Sequence, residues 1–97
     1  MKTLQEIQAI LRAHANEMHE HYGITNLAVF GSIVRGEARE DSDVDILAEL
    51  DRPIGLIALC GAENFLSDLL DVKVDLVLRR SVRQELREQI FNEAVAV

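Results

Sequence analysis

Apolar side chains recur at Leu4, Ile7, Leu11, Met18 and Tyr22, close to the 3.6-residue period of an amphipathic helix. Thr3-Leu4-Gln5-Glu6 in front of them has the form of a capping box, and Gly23 supplies a stop, so a helix is expected over 4–21. A short apolar run, Asn26 to Phe30, predicts a strand over 25–30 that ends in Gly31-Ser32. A brief helix over Ser32 to Glu37 and a polar loop to Ser42 follow. Asp43 to Leu50 then alternates acidic and apolar residues, which marks a second strand. Pro53 suits the start of a helix over 54–70, with Leu56, Leu59, Leu66, Leu69 and Leu70 as its buried stripe. Val72 to Leu78 reads as a third strand. Ser81-Val82-Arg83-Gln84 has the form of a second capping box, opening a last helix with Leu86, Ile90, Ala94 and Val97 turned inward. The expected order is α-β-α-β-α-β-α. It makes an α/β fold, a small mixed sheet of about three strands backed by helices on one face, in one domain over residues 1–97.

That pattern places chemistry. Side chains alternate across a strand, so Asp43 and Asp45 share one face, their Cα atoms roughly 7 Å apart, and Val44 and Ile46 share the other. Lys73, Asp75 and Val77 share a face of the third strand in the same way. If the two strands pair, Asp75 joins Asp43 and Asp45. Acidic residues at a strand start ordinarily just face water. What sets this pair apart is the Gly31-Ser32 turn ten residues upstream. Glycine lets the backbone approach a ligand, and free N–H groups at the following turn favour an anion. Clustered carboxylates repel one another, and a divalent cation relieves this; oxygen-only ligands favour magnesium or manganese over zinc. An anion site beside a cation site suits a nucleoside triphosphate with its metal.

Other residues are less telling. Arg35 is placed to orient triphosphate oxygens or to pair with Glu37 or Asp41. Ser42 either steadies Asp43 or ends the loop. His14, His19 and His21 have no i,i+4 pair among them and are expected on the helix surface rather than on a metal. Cys60 lies in an apolar run and is expected in the core.

The 97 residues are 48% hydrophobic with formal charge −7, and seven acids fall between Glu37 and Asp51. This acidity argues against duplex nucleic acid as a partner, since phosphate contacts need a basic stripe. One cysteine excludes an internal disulfide, and the longest apolar run, Ile54 to Cys60, is too short to span a membrane, so a cytoplasmic protein is expected.

Gly31-Ser32, ten residues, then Asp43-Val44-Asp45 resembles the signature of the DNA polymerase beta nucleotidyltransferase superfamily. With Arg35-Gly36, Ile46-Leu47 and the strand Val74-Asp75-Leu76-Val77, it is similar to the minimal nucleotidyltransferase group over nearly the whole chain. The resemblance implies two magnesium ions held by Asp43, Asp45 and Asp75, with Asp75 also helping to deprotonate the attacking hydroxyl. It implies ATP as substrate, its triphosphate held by Gly31, Ser32 and Arg35, and release of pyrophosphate. Stand-alone members resemble antitoxins that transfer AMP to a tyrosine of a HEPN-type ribonuclease toxin, which implies a hetero-oligomer with that partner. The alternative reading is an antitoxin that neutralises its partner by binding alone.

Overall fold

A computed structural model describes residues 1–97. Helix α1 (Leu4–Ala13) starts at the expected box: Glu6 N–H donates to Thr3 Oγ1 (3.1 Å) and Thr3 N–H to Glu6 Oε1 (3.0 Å). Hydrogen bonding from the Thr3 N–H, and then from its side chain, to the carboxylate holds the Glu6 carboxyl below its ordinary range. The helix expected to continue to residue 21 breaks at His14, and a separate α2 (Ala15–Tyr22) follows. The cause is local. His14 Nδ1 lies 2.9 Å from the Ile10 carbonyl, the oxygen that the His14 amide would use in an unbroken helix, and its ring packs edge-on to Phe65. Gly23 closes α2 in the left-handed conformation, as expected.

Strand β1 (Ile24–Phe30), the short helix α3 (Ser32–Arg35) and strand β2 (Val44–Leu50) follow, then α4 (Leu56–Leu70) and β3 (Val74–Leu78). A single 3-10 turn (Arg79–Ser81) leads to α5 (Gln84–Glu93) and β4 (Val95–Ala96). The sheet therefore has four strands rather than three, in the order β3-β2-β1-β4. β1 runs antiparallel to both β2 and β4, whereas β2 and β3 are parallel, joined by the α4 crossover that a parallel pair requires. The last helix stops at Glu93 because the chain beyond it pairs with the free edge of β1, and Val97 N–H reaches the Leu27 carbonyl at 3.1 Å. The second capping box does not form. Ser81 lies in the 3-10 turn, and α5 begins from Arg83 without a side-chain cap.

One face of the sheet carries the main core. Ile7, Leu11, Met18, Leu66 and Leu70 from the helices pack on Ile24, Leu27, Val29, Val44, Ile46, Ala48 and Val74. A bulge at Asn26 (φ 52) explains how Ile24, Leu27 and Val29 reach the same side, because one extra residue shifts the alternation by one. On the other face, Ala28, Phe30 and Leu47 are covered by Val82, with Ile90 and Ala94 partly buried against them. Helices thus back one face, and the C-terminal segment shields part of the second. Cys60 is exposed rather than buried, as are Leu56 and Ile57, because the first turns of α4 lie outside the packing contact. The stripe of α4 that is fully buried is Ala62, Leu66 and Leu70, and Leu86 of α5 stays exposed. Replacing Leu66, which has no exposed surface, with alanine is expected to cost about 2–5 kcal/mol by cavity formation, read as a lower midpoint in urea unfolding with an unchanged slope.

Edge strand β3 is fixed by α4 rather than by another strand. Ser67 Oγ accepts from Val74 N–H at 3.0 Å, and a Glu63 carboxylate oxygen accepts from Leu76 N–H at 2.9 Å. These bonds flank Asp75 and set its height along β2.

Candidate active site

The parallel ladder between β2 and β3 aligns Val44 with Val74, Asp45 with Asp75, and Ile46 with Leu76. Since Val44 and Val74 are both buried in the main core, their neighbours in sequence emerge on the opposite face. Asp45 and Asp75 therefore stand side by side, and Asp43 lies one residue before β2. The third neighbour of Asp45 is Phe30, its antiparallel partner on β1.

This setting leaves Asp45 short of positive charge. Burial, then the nearby carboxylates of Asp75 and Asp43, push its pKa from 3.8 to about 6. Arg35 acts in the opposite sense and does not cancel them. Only Asp43 has a cation within ion-pair reach, Lys73 Nζ at 3.9 Å, and both side chains are largely exposed. A trio with surplus negative charge and oxygen-only donors fits a hard divalent cation such as magnesium. The carboxylates do not converge on one point: no three acidic, histidine or cysteine side chains are close enough together to ligate a single ion.

The turn before α3 abuts this cluster. Gly31 adopts φ 84, ψ −152, a region essentially reserved for glycine. A Cβ built there would overlap Asp45 Oδ2 and stand 3.0 Å from its Cγ. The absence of a side chain at residue 31 is what lets the Asp45 carboxylate lie against the backbone. Val34 and Arg35 N–H both return to the Gly31 carbonyl, which leaves the amides of Ser32 and Ile33 without partners inside so short a helix.

Arg35 projects from the end of α3. One guanidinium nitrogen donates to Glu93 Oε1 at 2.8 Å, and Nε lies 3.4 Å from a Glu37 oxygen. Of the pairings expected for it, Glu37 forms and Asp41 does not. Hydrogen bonds to Glu93 and then Glu37 raise its pKa further above the usual arginine range. Glu93 also accepts from Gly31 N–H at 2.7 Å. Burial raises the Glu93 pKa, but the hydrogen bonds from Arg35 and from Gly31 outweigh it and leave the carboxyl below its ordinary value. Glu93 was not a candidate from sequence: it is a lone acid at a helix end, 62 residues from Gly31, and no local pattern announces the contact.

Ser42 ends the loop, its hydroxyl accepting from Arg39 N–H at 2.9 Å, rather than steadying Asp43. His14 binds the Ile10 carbonyl, and His19 pairs with Asp51, holding that carboxyl below its usual range; neither is near the aspartates in the ladder. A cavity of about 400 Å³ opens beside Asp43, with Ile33, Arg39, Ser42 and Val72 in its wall.

Two carboxylates in ladder register beside a glycine turn set an arrangement suited to a cation next to an anion. Comparison with known proteins agrees. Residues 11–97 match the family described as the nucleotidyltransferase domain, and the chain belongs to that family. It is 43% identical over 97 residues to the protein adenylyltransferase MntA of Thermococcus cleftensis, covering 100% of this chain and 98% of that protein. A Methanocaldococcus jannaschii protein provisionally named a protein adenylyltransferase is 50% identical over 93 residues, 96% of this chain and 95% of its own length. A solved structure provisionally described as a minimal nucleotidyltransferase superposes with TM-score 0.83 at 36% identity, covering 99% of this chain and 97% of the other. A crystal structure of a toxin–antitoxin with AMP-PNP superposes with TM-score 0.69 at 26% identity, covering 95% of this chain and 69% of that one. The chain is a nucleotidyltransferase with the fold of the minimal group. No helix is long and apolar enough to cross a membrane.

Proposed function

We propose that this nucleotidyltransferase moves AMP from ATP to a tyrosine hydroxyl of a HEPN-type ribonuclease toxin in the cytoplasm, and so serves as its antitoxin. The observation that carries the chemistry is the register of β2 and β3, which sets Asp75 beside Asp45 next to the Gly31 turn. The 43% identity to a protein adenylyltransferase supports a protein acceptor, and the likeness to a toxin–antitoxin crystal structure supports a toxin as that protein.

In this reading Asp43, Asp45 and Asp75 would hold two magnesium ions, which would supply charge neutralisation of the triphosphate. Gly31 and Ser32 grip the triphosphate tail through backbone N–H groups and the Ser32 hydroxyl, and Arg35 adds a charged donor. Asp75 accepts the proton of the acceptor hydroxyl. The hydroxyl oxygen forms a bond to the α-phosphorus as the bond between that phosphorus and the α–β bridging oxygen breaks, and pyrophosphate departs. Positioning and fixed charge carry the rate; no covalent enzyme intermediate is needed.

The partner supplies the rest of the surface. Leu56, Ile57, Leu86 and Phe91 are large apolar residues left exposed, which also keeps a second reading in play, neutralisation by binding alone. The test is transfer of label from α-labelled ATP to the partner toxin with magnesium. Label on a toxin tyrosine is the expected result, and none in the Asp43→Asn/Asp45→Asn double variant. If that double variant protects cells from the toxin as well as the unaltered chain does, binding alone is the function.

A further inference from the structure

Two of the donors assigned to the triphosphate, Gly31 N–H and Arg35, already hold an anion that belongs to the chain itself. Gly31 N–H and the Arg35 guanidinium both donate to the Glu93 carboxylate, one oxygen each, at 2.7 and 2.8 Å. Only 12% of the Glu93 side chain is exposed, so the carboxylate is seated rather than grazing the surface. We propose that Glu93 is a built-in competitor for the phosphate position, and that nucleotide entry requires the end of α5 and β4 to release Gly31 and Arg35. The inference rests on the reading of the Gly31 turn as the triphosphate grip, and adds to it a gate.

Two anions cannot share one amide hydrogen and one guanidinium edge. A carboxylate with two oxygens in one plane presents these donors with the same pattern as two phosphate oxygens. Glu93 also adds to the negative field at Asp45, so a polyphosphate arriving while it is seated would meet a fourth carboxylate as well as occupied donors. Releasing it is a local event. No side chain of α5 is fully buried, and β4 is a two-residue strand pairing with Ala28 and Val29, held further only by Val97 N–H on the Leu27 carbonyl and by Gln8 on the Ala96 carbonyl. Segments with few buried apolar contacts open at a small fraction of the global unfolding free energy. The same strap carries the exposed Leu86 and Phe91, so a partner that contacts α5 would bias the gate.

The test compares the full chain with Glu93→Gln and Glu93→Ala by calorimetric titration of Mg-ATP and, separately, of inorganic tripolyphosphate. Glutamine keeps the shape and removes the charge; alanine removes the competitor. Both variants are expected to bind both ligands about tenfold more tightly than the unaltered chain, equivalent to roughly 1.4 kcal/mol. Mg-ATP is also expected to speed amide hydrogen exchange over residues 90–97 of the unaltered chain. Unchanged or weaker binding by both variants overturns the proposal, as does slower exchange over 90–97, which would make Glu93 a fixed strut for Arg35. If the unaltered chain binds and transfers nucleotide but the variants bind no more tightly, the gate alone is wrong. If the unaltered chain binds neither ligand and labels no partner, the nucleotide reading falls with it.

Discussion

Asp45→Asn is expected to lower nucleotide transfer by at least about a thousandfold while making the metal-free protein more stable at pH 8. The two effects have one origin. Asp45 stands in the middle of the trio, paired in register with Asp75 and two residues from Asp43, and removing its charge would deprive the proposed metal site of its central ligand oxygens. The same charge is a burden in the folded chain. Its pKa lies at about 6 through burial and the two neighbouring carboxylates, against 3.8 for an unperturbed aspartate. A group whose folded pKa is raised favours folding below the unfolded value and loses that contribution as pH rises through the folded value. The destabilisation therefore grows between about pH 4 and 6 and is complete above it. Because the side chain is partly exposed, solvent screening reduces the effect, and about 1 kcal/mol is expected at pH 8. That corresponds to a melting temperature about 4–8 °C higher for Asp45→Asn in EDTA. At pH 4 the gap should close. Magnesium should stabilise the unaltered chain at pH 8 and leave the variant nearly unmoved. Thermal melts at the two pH values, with and without magnesium, check all of this. A variant less stable than the parent at pH 8 in EDTA would show that Asp45 is structurally satisfied, which the proposed site does not allow.

Gly31→Ala is expected to damage both folding and transfer. A backbone at φ 84, ψ −152 costs an L-residue about 1–3 kcal/mol, and the added methyl would collide with Asp45 Oδ2. The carboxylate can swing away, so the collision falls mainly on function: the aspartate loses its place against the turn, and the turn loses its shape for phosphate. Transfer should drop by more than about a hundredfold, and urea unfolding should show the 1–3 kcal/mol loss. Pairing the change with Asp45→Ala separates the two parts. The double variant removes the overlap with the carboxylate, leaves only the Cβ of residue 45 at 3.3 Å, and retains the strain, so its stability should still lie below that of Asp45→Ala alone by at least the strain term. Equal stability would mean that the turn is not held in this conformation.

Most elements were legible because their causes are local. Capping at Thr3 and Glu6, the stop at Gly23 and the period of Ile7, Leu11 and Met18 need only neighbours in sequence, and all stand in the structure. The break at His14 was not legible, since a histidine ring competing for its own helix's carbonyl leaves the hydrophobic period intact on both sides. The apolar stretch before Cys60 misled for a different reason: a run apolar all round does not reveal which side, or which end, is covered. The Ser81 box failed because the 3-10 turn consumed the residues that would have capped α5. β4 had no signal of its own, being two residues whose only reason for extension is the open edge of β1.

The chain by itself determined which side chains share a face. Strand alternation is set by backbone geometry, so Asp45 had to emerge opposite Val44 and Ile46, and the Gly31-Ser32 turn had to precede it at a short distance. Only the tertiary structure decided that β3 lies parallel to β2 with Asp75 level with Asp45, and that Glu93 reaches back to seat its carboxylate on Gly31 and Arg35. Alternation is a property of a few adjacent bonds, whereas register and long-range contact depend on how α4 and α5 pack, and on hydrogen bonds, such as Ser67 to Val74, between residues that no local pattern connects.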